Sequence, residues 1–217
     1  MSSKENKAAK KAAVEAAAKK TKLTRIGIAI AVVLVVAAVI VVPKCLSASS
    51  ESGAVYADID IRDYGTVTFR IETEKAPITA KNFIELAESG FYDGLTFHRI
   101  IAGFMMQGGD PLGNGTGGSE KNIVGEFAAN GHDTGLSHTR GAVSMARAQP
   151  YDSASSQFFI MHEDGTFLDG QYAVFGYVTE GMDIVDKICT SAKPVDGNGT
   201  IRTADQPVMN SVKIRHE

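Results

Sequence analysis

The chain has 217 residues, enough for one or two domains, and its 25 acidic and 22 basic side chains give a net charge of −3. Residues 1–25 carry +6, which leaves −9 on the remainder and argues against a nucleic-acid partner. The two cysteines, Cys45 and Cys189, lie far apart and predict neither a disulfide framework nor a cysteine metal site.

An uninterrupted apolar run of 17 residues, 26–42, follows the basic segment. As a helix this run would span about 26 Å, close to the hydrocarbon thickness of a bilayer. A buried core helix is a poor alternative, because a helix that is apolar on every face does not suit a small domain. The sequence therefore predicts a basic cytoplasmic tail over 1–25 and a transmembrane signal anchor over 26–42, with the positive charges holding the tail inside.

The residues after the apolar run leave two alternatives open. Small residues from Leu46 to Ser50 would suit signal-peptide cleavage and secretion, although the apolar run is longer than most signal cores. Cys45 could carry a lipid, but Lys44 before it does not fit the small residue that such sites usually have. We favour a Ser-rich tether over 43–54 and expect the domain at 55–217 to lie outside the cytoplasm, held to the cell membrane.

Beyond the tether, the sequence predicts many short strands and two helices, which is typical of an all-β architecture. Apolar and polar residues alternate from Tyr64 to Glu72, as in a half-buried strand. Pro77 begins a helix and Gly90 ends it, because proline suits a first helical turn and glycine suits a stop. Two short strands joined by a bend are predicted within 95–110, followed by strands at 141–146, 157–161, 173–178 and 208–215 and a helix at 182–189.

The stretch from Leu95 to Asp110 sets an arginine among apolar side chains. With a period of two, Phe97, Arg99 and Ile101 share one face of the first strand. A guanidinium in such a position either forms a structural ion pair or faces a ligand. Arg99 is therefore the first candidate for a functional residue.

The same stretch, Phe-His-Arg-Ile-Ile-Ala-Gly-Phe-Met-Met-Gln-Gly-Gly-Asp, resembles the signature of the cyclophilin family of peptidyl-prolyl isomerases. The similarity continues in family order from Val55 to the C-terminus. The resemblance implies a closed eight-stranded antiparallel barrel capped by two α-helices. It also implies that the substrates are proline-containing polypeptides, here exported or surface proteins. The motifs that carry it further are Asn114-Gly-Thr-Gly-Gly118, Gly141-Ala-Val-Ser-Met-Ala146, Ser156-Gln-Phe-Phe-Ile160, Phe167-Leu-Asp-Gly170 and Val174-Phe-Gly176.

The resemblance implies site residues position by position. Arg99 matches the catalytic arginine. The residues that match the proline pocket are Phe104, Met105, Phe159 and Leu168, and those that match the substrate groove are Gln107 and Ala146. Three further substrate-contact positions depart from the family. Phe167 replaces a tryptophan that favours cyclosporin binding, Tyr172 replaces a pocket histidine, and Arg147 replaces an asparagine. These changes put tight drug binding and the usual peptide preference in doubt.

Other chemistries fit the sequence poorly. Residues 113–118 satisfy G-x-G-x-x-G, yet no helical pattern comes after them as a dinucleotide site requires. The five histidines lack metal-ligand spacing, and no G-x-S-x-G elbow indicates a serine hydrolase. We expect an enzyme that needs no metal or cofactor and acts as a monomer. The alternative is a proline-peptide binding or chaperone module that uses the same groove without turnover.

Overall fold

Alternating apolar residues build the first hairpin of the fold. In the computed structural model, which describes residues 53–217, strand β1 (Val55–Ile61) pairs antiparallel with β2 (Gly65–Ile71). Every second residue of β1 is buried, as the period of two requires. The strand predicted at Tyr64 to Glu72 is confirmed as β2, whereas β1 was not singled out from the sequence.

The remaining elements lie close to their predicted positions. Both helices are found: the first runs from the expected proline, and the second extends two residues beyond the predicted end. The elements after β2 are α1 (Pro77–Glu88), β3 (Thr96–Ile101), β4 (Met105–Asp110), β5 (Ala142–Met145), β6 (Phe158–Met161), β7 (Val174–Glu180), α2 (Met182–Ser191) and β8 (Met209–His216).

The eight strands form one antiparallel sheet in the order β3-β4-β6-β5-β7-β2-β1-β8. Thr96 of the edge strand β3 forms an isolated bridge with Val208, the residue before the other edge strand β8, and no continuous ladder joins the two strands. The sheet is therefore a curled half-barrel, and the fully closed barrel implied by the resemblance is not confirmed. Closure depends on long-range backbone pairing, which the local sequence pattern does not encode.

Strands β4 to β6 and the first half of β7 are buried on both faces of the sheet. Neighbouring residues of one strand enter different clusters: Met106 and Phe158 join the main core, whereas Met105 and Phe159 join a smaller cluster on the opposite face. Aromatic rings of the main core pack edge to face, as with Phe83 against Phe158 at 5.4 Å. The smaller cluster forms a rigid apolar floor open to a groove.

The sequence pattern of 95–110 predicts that Gly108 and Gly109 end its second strand, because glycine lets a chain turn, but both residues lie within β4. A Cβ on Gly108 would lie 2.7 Å from the Thr96 carbonyl oxygen, and one on Gly109 would lie 2.6 Å from that of Ser156. Gly109 also has a φ of +80°, which side-chain-bearing residues rarely adopt. Close approach of neighbouring backbone explains both glycines better than a strand end.

A carboxylate from a distant loop caps helix α1. The N-cap residue Ala76 offers no side-chain acceptor, and buried Glu126 accepts hydrogen bonds from the backbone N–H groups of Ile78 (3.0 Å) and Thr79 (2.7 Å). These donors would otherwise be unsatisfied, and the helix dipole favours a negative group there.

Glu126→Ala is expected to lower the free energy of unfolding by about 2 kcal/mol, because it leaves two helix N–H groups without an acceptor. Chemical denaturation of the full-length protein measures this loss. Glu88→Ala removes the same charge from an exposed position of α1 and serves as the matched control. Equal stability of the two variants would show that the cap contributes nothing.

The predicted basic tail, membrane anchor and nearly all of the tether lie outside the described residues, as does Cys45. Within residues 53–217, no helix combines the length and the apolar character needed to cross a membrane.

Candidate active site

A bulge in β3 decides which way Arg99 points. Phe97 pairs with Gly108 and Arg99 pairs with Gln107, so that His98 is an extra residue in the ladder. The prediction that Phe97 and Arg99 share one face of the strand is therefore wrong. Phe97 enters the main core, and the bulge moves Arg99 to the opposite face, above the smaller cluster. Bulges often re-aim a side chain in this way beside functional sites.

The Arg99 guanidinium is held by neutral groups. Its Nε donates to the Asn198 carbonyl oxygen (2.8 Å), and Nη1 donates to Gln107 Oε1 (3.3 Å) beside Met105 Sδ (3.7 Å). Among residues 53–217, no carboxylate lies within 4.0 Å of it, and Nη2 makes no hydrogen bond. The structural ion pair considered from the sequence is thus absent from the described part of the chain. Partial burial lowers the pKa of Arg99, yet arginine stays charged.

A chain of side-chain amides orients this guanidinium. Gln107 Nε2 donates to Gln157 Oε1 (2.9 Å), and Gln157 Nε2 donates to the Gly117 carbonyl oxygen (2.7 Å). Gln107 therefore accepts from Arg99 while its own donor is engaged. Sequence reasoning did not identify Gln157 or Asn198 as functional; Gln157 stood within a quoted motif, but no signal marked Asn198.

The glycine-rich loop after β4 wraps around one carboxylate. Asp110 accepts backbone hydrogen bonds from Leu112 (2.8 Å), Asn114 (3.1 Å) and Gly115 (2.6 Å). Burial acts to raise the pKa of Asp110, but these hydrogen bonds outweigh burial and hold that pKa below its usual range. No α-helix lies between this loop and β5, so the dinucleotide-like spacing serves a turn beside the groove.

Next to Arg99 lies a cavity of about 440 Å³, here named the slot, which has an apolar floor and largely polar walls. Its floor is the smaller cluster, where Phe159 is 5% exposed and Met105 is 1% exposed. Asn198 and Thr200 close the side near Arg99. The structure brings nine of the ten predicted site residues to this slot: Arg99, Phe104, Met105, Gln107, Ala146, Arg147, Phe159, Leu168 and Tyr172.

Phe167 is the one predicted site residue that does not line the slot. Its side chain is 68% exposed and stacks on Phe104, with the ring centroids 5.6 Å apart. It therefore lies at the rim, where it supports the wall formed by Phe104.

Arg147 lies against the slot wall and does not extend across the opening. Its Nε donates to the Gln171 carbonyl oxygen (3.0 Å), and its guanidinium carbon lies 4.7 Å from the centroid of the Tyr172 ring. The Tyr172 ring in turn meets Phe159 edge to face at 6.0 Å. Arg147 thus fixes the tyrosine that replaces the expected histidine.

A Ser-His-Asp arrangement that the sequence did not reveal lies behind the slot. His138 Nδ1 is 2.7 Å from Asp169 Oδ1, and Nε2 is 3.0 Å from Ser144 Oγ. His138 and Ser144 are completely buried, and the His138 ring stacks on Phe159. Because substrate cannot reach this serine, the network is a support for the slot floor and Leu168.

His98 and His138 share a lowered pKa. Burial lowers both values; Asp110 partly offsets the effect at His98, and Asp169 does so at His138. His98 lines the slot, and neither of its ring nitrogens is hydrogen-bonded to another residue in 53–217. Both imidazoles are thus neutral near pH 7, so His98 adds no positive charge to the slot beside Arg99.

The melting temperature should therefore fall as the pH is lowered from 7.5 to 5.5. Unfolded histidines bind protons below pH about 6.5, whereas these two folded histidines resist protonation, so the unfolded state gains protons first. Calorimetry across this window separates the effect from carboxylates, which titrate nearer pH 4. His132→Asn, at an exposed position, should keep the slope; a flat profile would contradict the neutral assignment.

Comparison with known proteins adds to this geometry. A family model described as "Cyclophilin type peptidyl-prolyl cis-trans isomerase/CLD" matches residues 56–216, most of the chain. The chain belongs to the cyclophilin family of peptidyl-prolyl cis-trans isomerases. The similarity expected from the motifs is therefore confirmed over residues 56–216.

Relatives of this cyclophilin occur in bacteria and fungi. It is 48% identical over 123 residues to "Peptidyl-prolyl cis-trans isomerase B" of Bacillus subtilis, covering 57% of this chain and 82% of the relative. "Peptidyl-prolyl cis-trans isomerase-like 1" of Rhizopus delemar is 47% identical over 125 residues, with coverages of 57% and 74%. The fold is similar to a crystal structure of a Cryptosporidium parvum cyclophilin-type isomerase determined in the presence of the dipeptide Ala-Pro, with a TM-score of 0.65 and 28% identity over 75% of this chain and 99% of that one.

Proposed function

We propose that this cyclophilin accelerates rotation about X-Pro bonds of exported or surface proteins, with Arg99 as the catalytic residue. The observation that supports this assignment most strongly is an oriented guanidinium without an acidic partner in the described chain, placed at the edge of a slot with an apolar floor. We propose that the protein acts as a monomer, since the slot residues named above all lie in one chain.

The reaction itself needs no covalent step. The X-Pro amide is partly a double bond, and rotation about such bonds faces a barrier of about 18–20 kcal/mol. As the bond twists, the prolyl nitrogen loses conjugation and gains a localised lone pair. A donor aimed at that nitrogen therefore binds the twisted state more tightly than either planar state, which lowers the barrier.

Arg99 has a suitable donor for this interaction. Nη1 and Nε are engaged by Gln107 and Asn198, whereas Nη2 has no partner among residues 53–217. Met105, Phe159 and the wall residue Phe104 would hold the pyrrolidine ring and exclude water, which strengthens the interaction. Because the guanidinium is oriented in advance, little reorganisation is needed as the bond twists.

A protease-coupled assay on the full-length protein tests this function. A protease that cleaves only the trans form of an X-Pro peptide reports the rate of cis-to-trans conversion. We expect the slow phase to accelerate in proportion to the enzyme concentration. Peptide binding without acceleration would favour the alternative, a proline-peptide binding or chaperone module.

We infer from the N-terminal sequence that the isomerase domain lies outside the cytoplasm. The charge of +6 over 1–25, followed by 17 apolar residues, supports a single span with the domain outside the cytoplasm. The Ser-rich tether would let the domain reach emerging polypeptides near the membrane.

Protease added to intact cells is therefore expected to release the domain by cutting within 43–54, while an N-terminal epitope tag stays protected. Immunoblotting of cells and supernatant measures both. A protected domain with an accessible tag would reverse the orientation. Recovery of the domain from the medium with a new N-terminus near Ser49 would favour signal-peptide cleavage over the anchor.

A further inference from the structure

A second cavity, of about 320 Å³ and here named the side pocket, adjoins the slot. It shares a wall with the slot, formed by Gln107, Gly115, Thr116, Ala146 and Arg147, so a peptide in the slot would pass its mouth. The rest of its lining is polar and neutral, including Ser119, Asn122, Ser153 and Ser155.

Among residues 53–217, Arg147 is the single charged residue that lines the side pocket. Among residues 53–217 no carboxylate lies within 4.0 Å of its guanidinium, so its charge is not neutralised by an ion pair. Nε and Nη1 donate to backbone carbonyl oxygens of Gln171, Ala148 and Gln149, whereas Nη2 makes no hydrogen bond in the described chain. One donor group therefore remains for a ligand.

The position of this charge is fixed in advance. The guanidinium carbon lies 5.2 Å from the ring centroid of Phe127, 5.0 Å from that of Tyr151 and 4.7 Å from that of Tyr172. Three rings and three carbonyl contacts hold a side chain that would otherwise lose conformational freedom on binding. A half-buried, pre-oriented guanidinium recognises a carboxylate more strongly than a mobile surface arginine does.

We propose that Arg147 makes the side pocket select an acidic side chain, Asp or Glu, on a substrate residue close to the proline. This inference rests on the proposed function, because it names the substrate class of the same groove. Neutral hydroxyl and amide groups elsewhere in the side pocket add hydrogen bonds but no preference for charge. The single positive group sets the preference.

Paired peptides test the inference on the full-length protein. In one series Glu is placed at each of several positions on either side of the proline, and in the other Gln stands at the same position. We expect kcat/KM to favour Glu over Gln about tenfold at one position, a difference typical of a hydrogen bond to a charged group. The ratio should fall toward one as salt is raised to about 0.5 M, because ions screen the pair.

Arg147→Gln should abolish the ratio, and Arg62→Gln, which removes an exposed charge on the turn after β1, should preserve it. A ratio near one at every position for the wild type overturns the inference, and that result does not depend on how the variants fold. If no peptide is isomerised, the proposed function fails. Calorimetric affinities of the same Glu and Gln peptides then decide the acidic preference separately, and equal affinities overturn it.

Discussion

Arg99→Ala is expected to lower kcat/KM for X-Pro isomerisation about 100- to 1000-fold, the range seen when one pre-oriented donor to a transition state is removed. Melting temperature should change little, because the described chain gives Arg99 no ion pair to lose. The assay is the protease-coupled rate, and circular dichroism during heating checks the fold. A loss of activity with an intact fold assigns Arg99 to the transition state.

Arg99→Lys is the matched variant for this experiment. Lysine keeps the charge but loses the planar fork that lets Nε and Nη1 bind Asn198 and Gln107 while Nη2 stays available. We expect most of the activity to be lost here too. If Arg99→Ala retains a near-normal rate, the assignment is wrong, and if its melting temperature collapses together with activity, Arg99 is structural.

Phe159→Ala is expected to lower the free energy of unfolding by about 3–5 kcal/mol and to raise KM, because one ring serves both the packing and the slot floor. Phe159 is 5% exposed within the smaller cluster, and it contacts the rings of His138 and Tyr172. Removing it would leave a cavity beneath the proline and loosen both neighbouring rings. Denaturant titration and peptide binding measure the two effects.

Phe167→Ala is the control for Phe159→Ala. The same ring is removed at a position that is 68% exposed, where truncation should change stability by less than about 0.5 kcal/mol. An unchanged stability of Phe159→Ala would show that its ring is not part of the packed floor. A stable Phe159→Ala variant with normal KM would further remove this residue from the site.

Much of the secondary structure could be predicted because local patterns determine it. The alternation in β2 and the proline and glycine limits of α1 are such patterns, and the structure matches them. The faces of β3 could not be predicted, because the bulge at His98 adds a residue and breaks the period of two. Partial closure of the sheet depends on how distant edges meet, and no local pattern encodes that.

The slot residues could be predicted because they lie in motifs with known family roles. The groups that orient Arg99 were harder to find, since Asn198 contributes only a backbone oxygen and any residue type offers one. The His138, Asp169 and Ser144 network joins residues from separate segments and leaves no spacing to recognise. The contacts of Arg147 with three rings likewise depend on tertiary packing.

Catalysis by Arg99 is tested most directly by exchange spectroscopy, with NMR on an X-Pro peptide at equilibrium and a small amount of the full-length protein. Cis-trans exchange without enzyme takes tens of seconds or longer, so cross peaks appear only if the protein catalyses rotation. We expect strong exchange cross peaks with the wild type and their loss with Arg99→Ala at equal peptide binding. Peptide shifts that show binding to the wild type without exchange would contradict catalysis by this site.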